Sequence, residues 1–139
     1  MRYREVESAG EYLARLEMGS DWRGEIEALA RAAGVEAGWF GAVGAVRDAE
    51  LWFYDQDGAQ YRSVTFDEPL TVAACAGSVA RLDGDLYAQP RAVLARESGQ
   101  AVAGHLERGT VFDGEVHLRA FAEPLVREPD DVTGLDTWL

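Results

Sequence analysis

Apolar residues recur along this chain at two spacings. Between Asp21 and Gly34, the residues Trp22, Ile26, Leu29 and Ala33 return every three to four positions, which lines one face of a helix. Ser20 or Asp21 can accept a hydrogen bond from a free N–H of the first turn, and Glu25 suits the positive end of the helix dipole. Gly34 can adopt the left-handed conformation that ends a helix. The pattern predicts one firm helix over about 21–33. Elsewhere period two dominates. Val116, Leu118 and Ala120 alternate with His117, Arg119 and Phe121, which predicts a strand over 111–121. Residues 49–54 (Ala-Glu-Leu-Trp-Phe-Tyr) predict an aromatic strand, 55–58 a turn and 60–66 the returning strand. Residues 2–8 and 11–17 predict an opening hairpin around Ala9-Gly10.

The stretch 76–111 organises the rest. Asp83-Gly84 and Ser98-Gly99 lie between apolar runs and predict tight hairpin turns, because glycine accepts the positive φ these turns need. Three strands follow: one ending near Leu82, one over 86–96 and one over 100–106. The run 70–80 is apolar almost throughout and predicts a strand covered on both faces. Residues 35–46 are apolar and glycine-rich, which permits bulges and close backbone approach. Pro90 removes a ladder donor, so its strand is expected to be an edge or bulged there. Many strands, one helix and no alternation of strand with helix give an α+β fold with a largely antiparallel sheet.

At 139 residues the chain is read as one domain over 1–127 with an acidic C-terminal tail, 128–139. Leu125 and Val126 are expected to pack, and the last ten residues to lie loosely on the surface. No run of about 18 apolar residues occurs, so no membrane span is expected. The opening Met-Arg-Tyr-Arg-Glu-Val-Glu lacks an apolar signal core, and a cytoplasmic location is expected. The single cysteine, Cys75, reads as inert core.

Charge sharpens the picture. There are 13 basic and 25 acidic side chains, a net charge of −12, and every basic residue is arginine. A lysine-free acidic surface suits a halophilic cytoplasm, where molar salt cuts the Debye length to about 3 Å and screens self-repulsion. Simple binding to a nucleic-acid backbone is disfavoured, since that affinity comes from cations meeting phosphates. Arg81, Arg91, Arg96 and Arg108 are the residues that could make a local basic patch.

From Leu82-Asp-Gly-Asp through Gly104-His-Leu-Glu-Arg-Gly-Thr-Val111 the chain resembles the PPC domain, the plant and prokaryote domain that accompanies AT-hooks in plants. The resemblance extends to Gly41-Ala-Val-Gly-Ala-Val, to Ala49-Glu-Leu-Trp-Phe-Tyr-Asp55 and to the helix, covering roughly 2–126. It implies a strongly bent antiparallel sheet, a homotrimer and a fold similar to that of acetolactate decarboxylase, a zinc enzyme. It also implies the DNA-binding label that prokaryotic members generally carry. Many members hold a His-x-His pair and a third histidine, the layout of a catalytic zinc site. Here those positions are Gln89, Arg91 and His105. An amide ligates zinc poorly and a fixed cation opposes a metal, so no metal and no cofactor is expected.

Two readings of these residues stay open. Arg91 could fork onto a carboxylate or phosphate in the cavity that metal otherwise occupies, or it could close an internal or intersubunit salt bridge. His105 could serve as a pocket acid or base, or it could simply hydrogen-bond within its strand. His117 reads as a solvated or interface residue. Trp39, Phe40, Trp52, Phe53 and Tyr54 read as core and trimer contacts. Three functions compete. The resemblance favours a stand-alone, non-enzymatic DNA-associated or regulatory protein. The alternative is a trimer binding a small anion around Arg91 and His105. A divergent metalloenzyme comes third.

Overall fold

The computed structural model describes residues 1–138. The elements are β1 (Ser8–Arg15), α1 (Trp22–Ala32), β2 (Gly38–Val46), β3 (Ala49–Asp55), β4 (Gln60–Phe66) and β5 (Leu70–Leu82). They continue as β6 (Asp85–Ala95), β7 (Ala101–Arg108), β8 (Val111–Phe121), β9 (Glu128–Pro129) and β10 (Asp136–Thr137). Eight strands form one antiparallel sheet in the order β1-β8-β2-β5-β6-β7-β3-β4, and β9 pairs with β10 separately. The α+β class and the single helix are as the periodicities predict. The register of β5 slips by one residue between Val72 and Cys75 against β2 and between Val72 and Ala74 against β6, a bulge in β5 that adds local bend and twist.

Helix α1 starts where the capping pattern places it. Asp21 is extended, and its two carboxylate oxygens do different work: Oδ2 accepts from Gly24 N at 2.9 Å and Oδ1 from Gly109 N at 3.1 Å. One side chain thus caps the helix and ties it to the loop before β8. Asp21→Ala should cost about 1–2 kcal/mol, the upper half of the usual N-cap range, because the Gly109 amide loses its acceptor too. Urea unfolding would measure this, and Asp21→Asn should recover part of it.

The helix buries Trp22, Ile26 and Ala30 against the sheet, where they join Phe40, Leu51, Val79, Leu94, Leu106 and Leu118 in one core. Gly114 makes room for the indole: a Cβ there would stand 2.9 Å from both Trp22 Cζ3 and Leu16 Cδ1. The Asp83-Gly84 turn has positive φ at both central residues (50° and 88°), and Leu82 pairs with Asp85 across it. That is the tight hairpin its sequence predicts.

Four expectations need correction. The opening hairpin does not form: residues 1–7 contain no strand, and β1 pairs instead with β8 at the far end of the sequence. Polar contacts help to match those two strands: Glu11 pairs with Arg119 at 2.8 Å and is hydrogen-bonded to His117 at 2.9 Å. Strand β5 is not covered on both faces throughout: only Gly77, Ser78, Val79 and Ala80 form a continuous buried run, while Thr71, Ala73, Ala74 and Ala76 face outward. Small side chains make an apolar run without requiring a cover. Val126 is exposed although Leu125 packs beneath Ala37 and Ala80. The C-terminal residues do not lie loosely. β9 and β10 turn the chain back, Tyr54 Oη donates to Thr133 O at 2.6 Å, and Trp138 stands 6.4 Å from both Trp39 and Phe121, ring to ring.

Candidate functional site

The site begins where two strands part. β6 and β7 pair from Ala95↔Ala101 up to Arg91↔His105 and no further; beyond that point β7 pairs only with β3. The first half of β6, with Pro90 at its end, therefore has a free edge, the condition a proline in a strand requires. Helix α1 covers that edge. Glu27 Oε1 accepts from Ala88 N at 3.1 Å, replacing the missing strand carbonyl. Arg23 sits between the strands, donating to Tyr87 Oη and to Glu107 Oε1, both at 3.0 Å.

His105 belongs to this inner network. Its Nε2 lies 3.2 Å from Glu107 Oε2, and its ring stands 6.5 Å from Trp52. A carboxylate can only accept, so with Glu107 ionised the neutral imidazole presents Nε2–H to it. Burial, together with the guanidinium groups of Arg23, Arg91 and Arg127, pushes the His105 pKa down to about 4. Burial also raises Glu107, against the pull of Arg23. At neutral pH His105 is uncharged and its ring is spent on a structural contact.

Gln89 and Arg91 project from β6 into a separate cleft of about 240 Å³. Its floor is a row in register across three strands, Trp39↔Ser78↔Gln89, with Arg91 two residues further along β6. Tyr61 on β4 lines the opposite side, packed on Trp52 at 5.6 Å and Tyr54 at 5.0 Å. Strands third and eighth in the sheet order thus line one cavity, which requires the sheet to curl over. Gly134, Leu135, Asp136 and Trp138 of the C-terminal segment close the remaining wall.

The residue that sequence reasoning missed is Arg127. It is only 8% exposed, stacks over the Trp138 ring at 5.1 Å, donates to Ser78 Oγ and donates to Asp136 O at 3.1 Å. Its Nε is buried with no partner. Desolvation and then the charge of Arg91 lower its pKa, an uncommon direction for a guanidinium. Neither Arg91 nor Arg127 makes an ion pair among the described residues, whereas Arg81, Arg96 and Arg108 are matched to Glu36, Glu68 and Glu50. Arg91 is exposed at the mouth of the cleft, while Arg127 is buried; buried arginines are normally paired, which sets Arg127 apart. An arginine just before the acidic tail gave one sequence signal, but nothing in the pattern placed it beside Arg91.

Cys75 is buried, and its thiol is pushed up to about 12 by desolvation, so it carries no nucleophilic chemistry. Among the described residues no group of three or more His, Cys, Asp or Glu could hold a metal ion. No helix among them is long and apolar enough to cross a membrane.

An antiparallel α+β domain with one helix and a cleft roofed by its own C-terminal segment defines a class, and comparison with known proteins agrees. Residues 3–122 match the Plants and Prokaryotes Conserved (PCC) domain, the same family as the PPC domain above, and the chain belongs to it. It is 32% identical to a metal-containing protein of Archaeoglobus fulgidus, covering 100% of this chain and 99% of that one, with a TM-score of 0.94. A PPC protein of Pyrococcus horikoshii is 22% identical over 100% and 97% of the two chains, with a TM-score of 0.92. A protein of Bacteroides thetaiotaomicron, named as a candidate DNA-binding protein, is 20% identical over 99% and 95%, with a TM-score of 0.86. Curated proteins returned no match.

Proposed function

We propose that this protein is a non-enzymatic, small-anion-binding member of the family that works as a homotrimer, with the cleft at Gln89, Arg91 and Arg127 as its ligand site. The observation that carries the reading is the pair of arginines without carboxylate partners, one of them buried, in a molecule whose net charge is −12. Such a protein gains little by burying the uncompensated cation of Arg127 unless something negative meets it. The trimer is supported by the outer face of β1, β2 and β5, where Leu13, Val43, Ala73 and Ala74 are exposed. Light scattering should return three times the 15.2 kDa chain mass.

The metal named for the Archaeoglobus relative does not suit this chain's residues. Gln89, Arg91 and His105 offer one good donor, already turned to Glu107, and one fixed cation, with Arg23 and Arg127 close enough to add theirs. No step through a metal is drawn.

The DNA reading rests on the name of the Bacteroides relative. The arginines that could have made a basic patch argue against it, since Arg81, Arg96 and Arg108 are spent on carboxylates. Thermal melting in the presence of small anions tests the anion reading. A ligand at about 100 times its Kd should stabilise by about 2.7 kcal/mol, and Arg91→Gln should lose at least tenfold in affinity. If no small anion raises Tm, while a labelled duplex binds at low salt, the protein belongs with DNA instead.

A further inference from the structure

Building on the anion reading, we infer that the cleft is shaped for a small planar aromatic monocarboxylate, with its carboxylate on Arg91 and Arg127 and its ring between Tyr61 and the Trp39–Trp138 pair.

Charge, size and shape each contribute. Two guanidinium groups and one carboxylate, Asp136, line the cleft, which leaves about one net positive charge to be met. Tyr61 adds none, because burial raises its pKa. A monoanion balances that charge, and a phosphate dianion would overshoot it. The volume of about 240 Å³ lies below the range of about 300–1,000 Å³ usual for drug-sized ligands. A nucleotide is too large, and acetate would leave most of the space unfilled.

The walls then select the body of the ligand. Tyr61 stands beyond one end of the Trp39–Ser78–Gln89 row, on β4, and Trp39 rises from its other end, on β2. Trp138 extends the Trp39 wall, with ring centroids 6.4 Å apart. Aromatic side chains on both sides favour a flat π-faced body over a puckered one, through offset or edge-to-face contacts worth about 0.5–1.5 kcal/mol each. Gln89 lies beside Arg91, where its amide N–H can donate to a second carboxylate oxygen.

Titration calorimetry on the full chain, with benzoate, cyclohexanecarboxylate, acetate and inorganic phosphate as probes, tests this. Benzoate should bind at least tenfold more tightly than the other three. Arg91→Gln should weaken benzoate and acetate alike. Tyr61→Ala, on an exposed edge strand where folding is not at stake, should weaken benzoate about tenfold and leave acetate unchanged. If acetate or phosphate matches benzoate, the aromatic assignment is overturned and the anion site stands. If none of the four binds, both readings fall together.

Discussion

Trp22→Ala should lower the unfolding free energy by about 3–5 kcal/mol, the range seen when a large buried aromatic is removed. The indole is fully buried at the first residue of α1, and its backbone N–H donates to Gly109 O at 2.8 Å. The ring fills the hollow above Gly114 and Leu16, so its loss leaves a cavity that backbone on three elements would have to move to close. Trp22→Phe keeps part of the volume and should recover more than half of the loss. Denaturant midpoints at constant m-value would check both. A loss under about 1 kcal/mol for the alanine variant would mean that the helix is held mainly by its polar contacts.

Acidification supplies the second large effect. His105 is held neutral in the folded protein, with its pKa near 4 instead of 6.5, and its side chain is only 15% exposed. Between these values the unfolded chain binds a proton that the folded chain refuses, so stability rises with pH across this window. The contribution is complete above about pH 6.5 and lost as pH falls toward 4. At about 1.4 kcal/mol per unit it amounts to something on the order of 3 kcal/mol. Glu107, raised by burial, acts in the opposite sense and offsets part of it in the acid range. Comparing wild type with His105→Gln by urea unfolding at several pH values isolates the histidine. The difference between the two proteins should shrink by most of that amount between pH 6.5 and 4.5. A pH-independent difference would contradict a neutral, buried imidazole.

Much of the local structure was legible in residues that act on their near neighbours. Asp21 caps its own helix, Asp83-Gly84 makes its own turn, and Val116, Leu118 and Ala120 declare which face of β8 is buried. What stayed hidden depends on partners far along the chain. β1 carries the alternation of any half-buried strand, and nothing in it says that the partner is β8 instead of the residues just before it. The run 70–80 showed the same limit, since alanine is apolar enough to look buried and small enough to be left uncovered. The site divided in the same way. Gln89 and Arg91 were singled out from the resemblance, as the positions where it implies imidazoles, and both line the cleft. Arg127 was not, because its importance comes from Ser78, Asp136 and Trp138 folding around it. His105 stood beside Arg91 by register, yet its Nε2 is engaged by Glu107 and it does not line the cleft.

One contact has a dynamic consequence. The amide of Ala88 is secured by a carboxylate from α1, not by a carbonyl of an adjoining strand. Its exchange with solvent deuterium therefore follows excursions of the helix away from β6, and fraying of the sheet alone does not release it. Arg23 rides on the same helix and bridges Tyr87 and Glu107, so each such excursion also loosens the hinge between the diverging strands. The breathing of the helix is thereby transmitted to β6, the strand that carries Gln89 and Arg91 into the cleft.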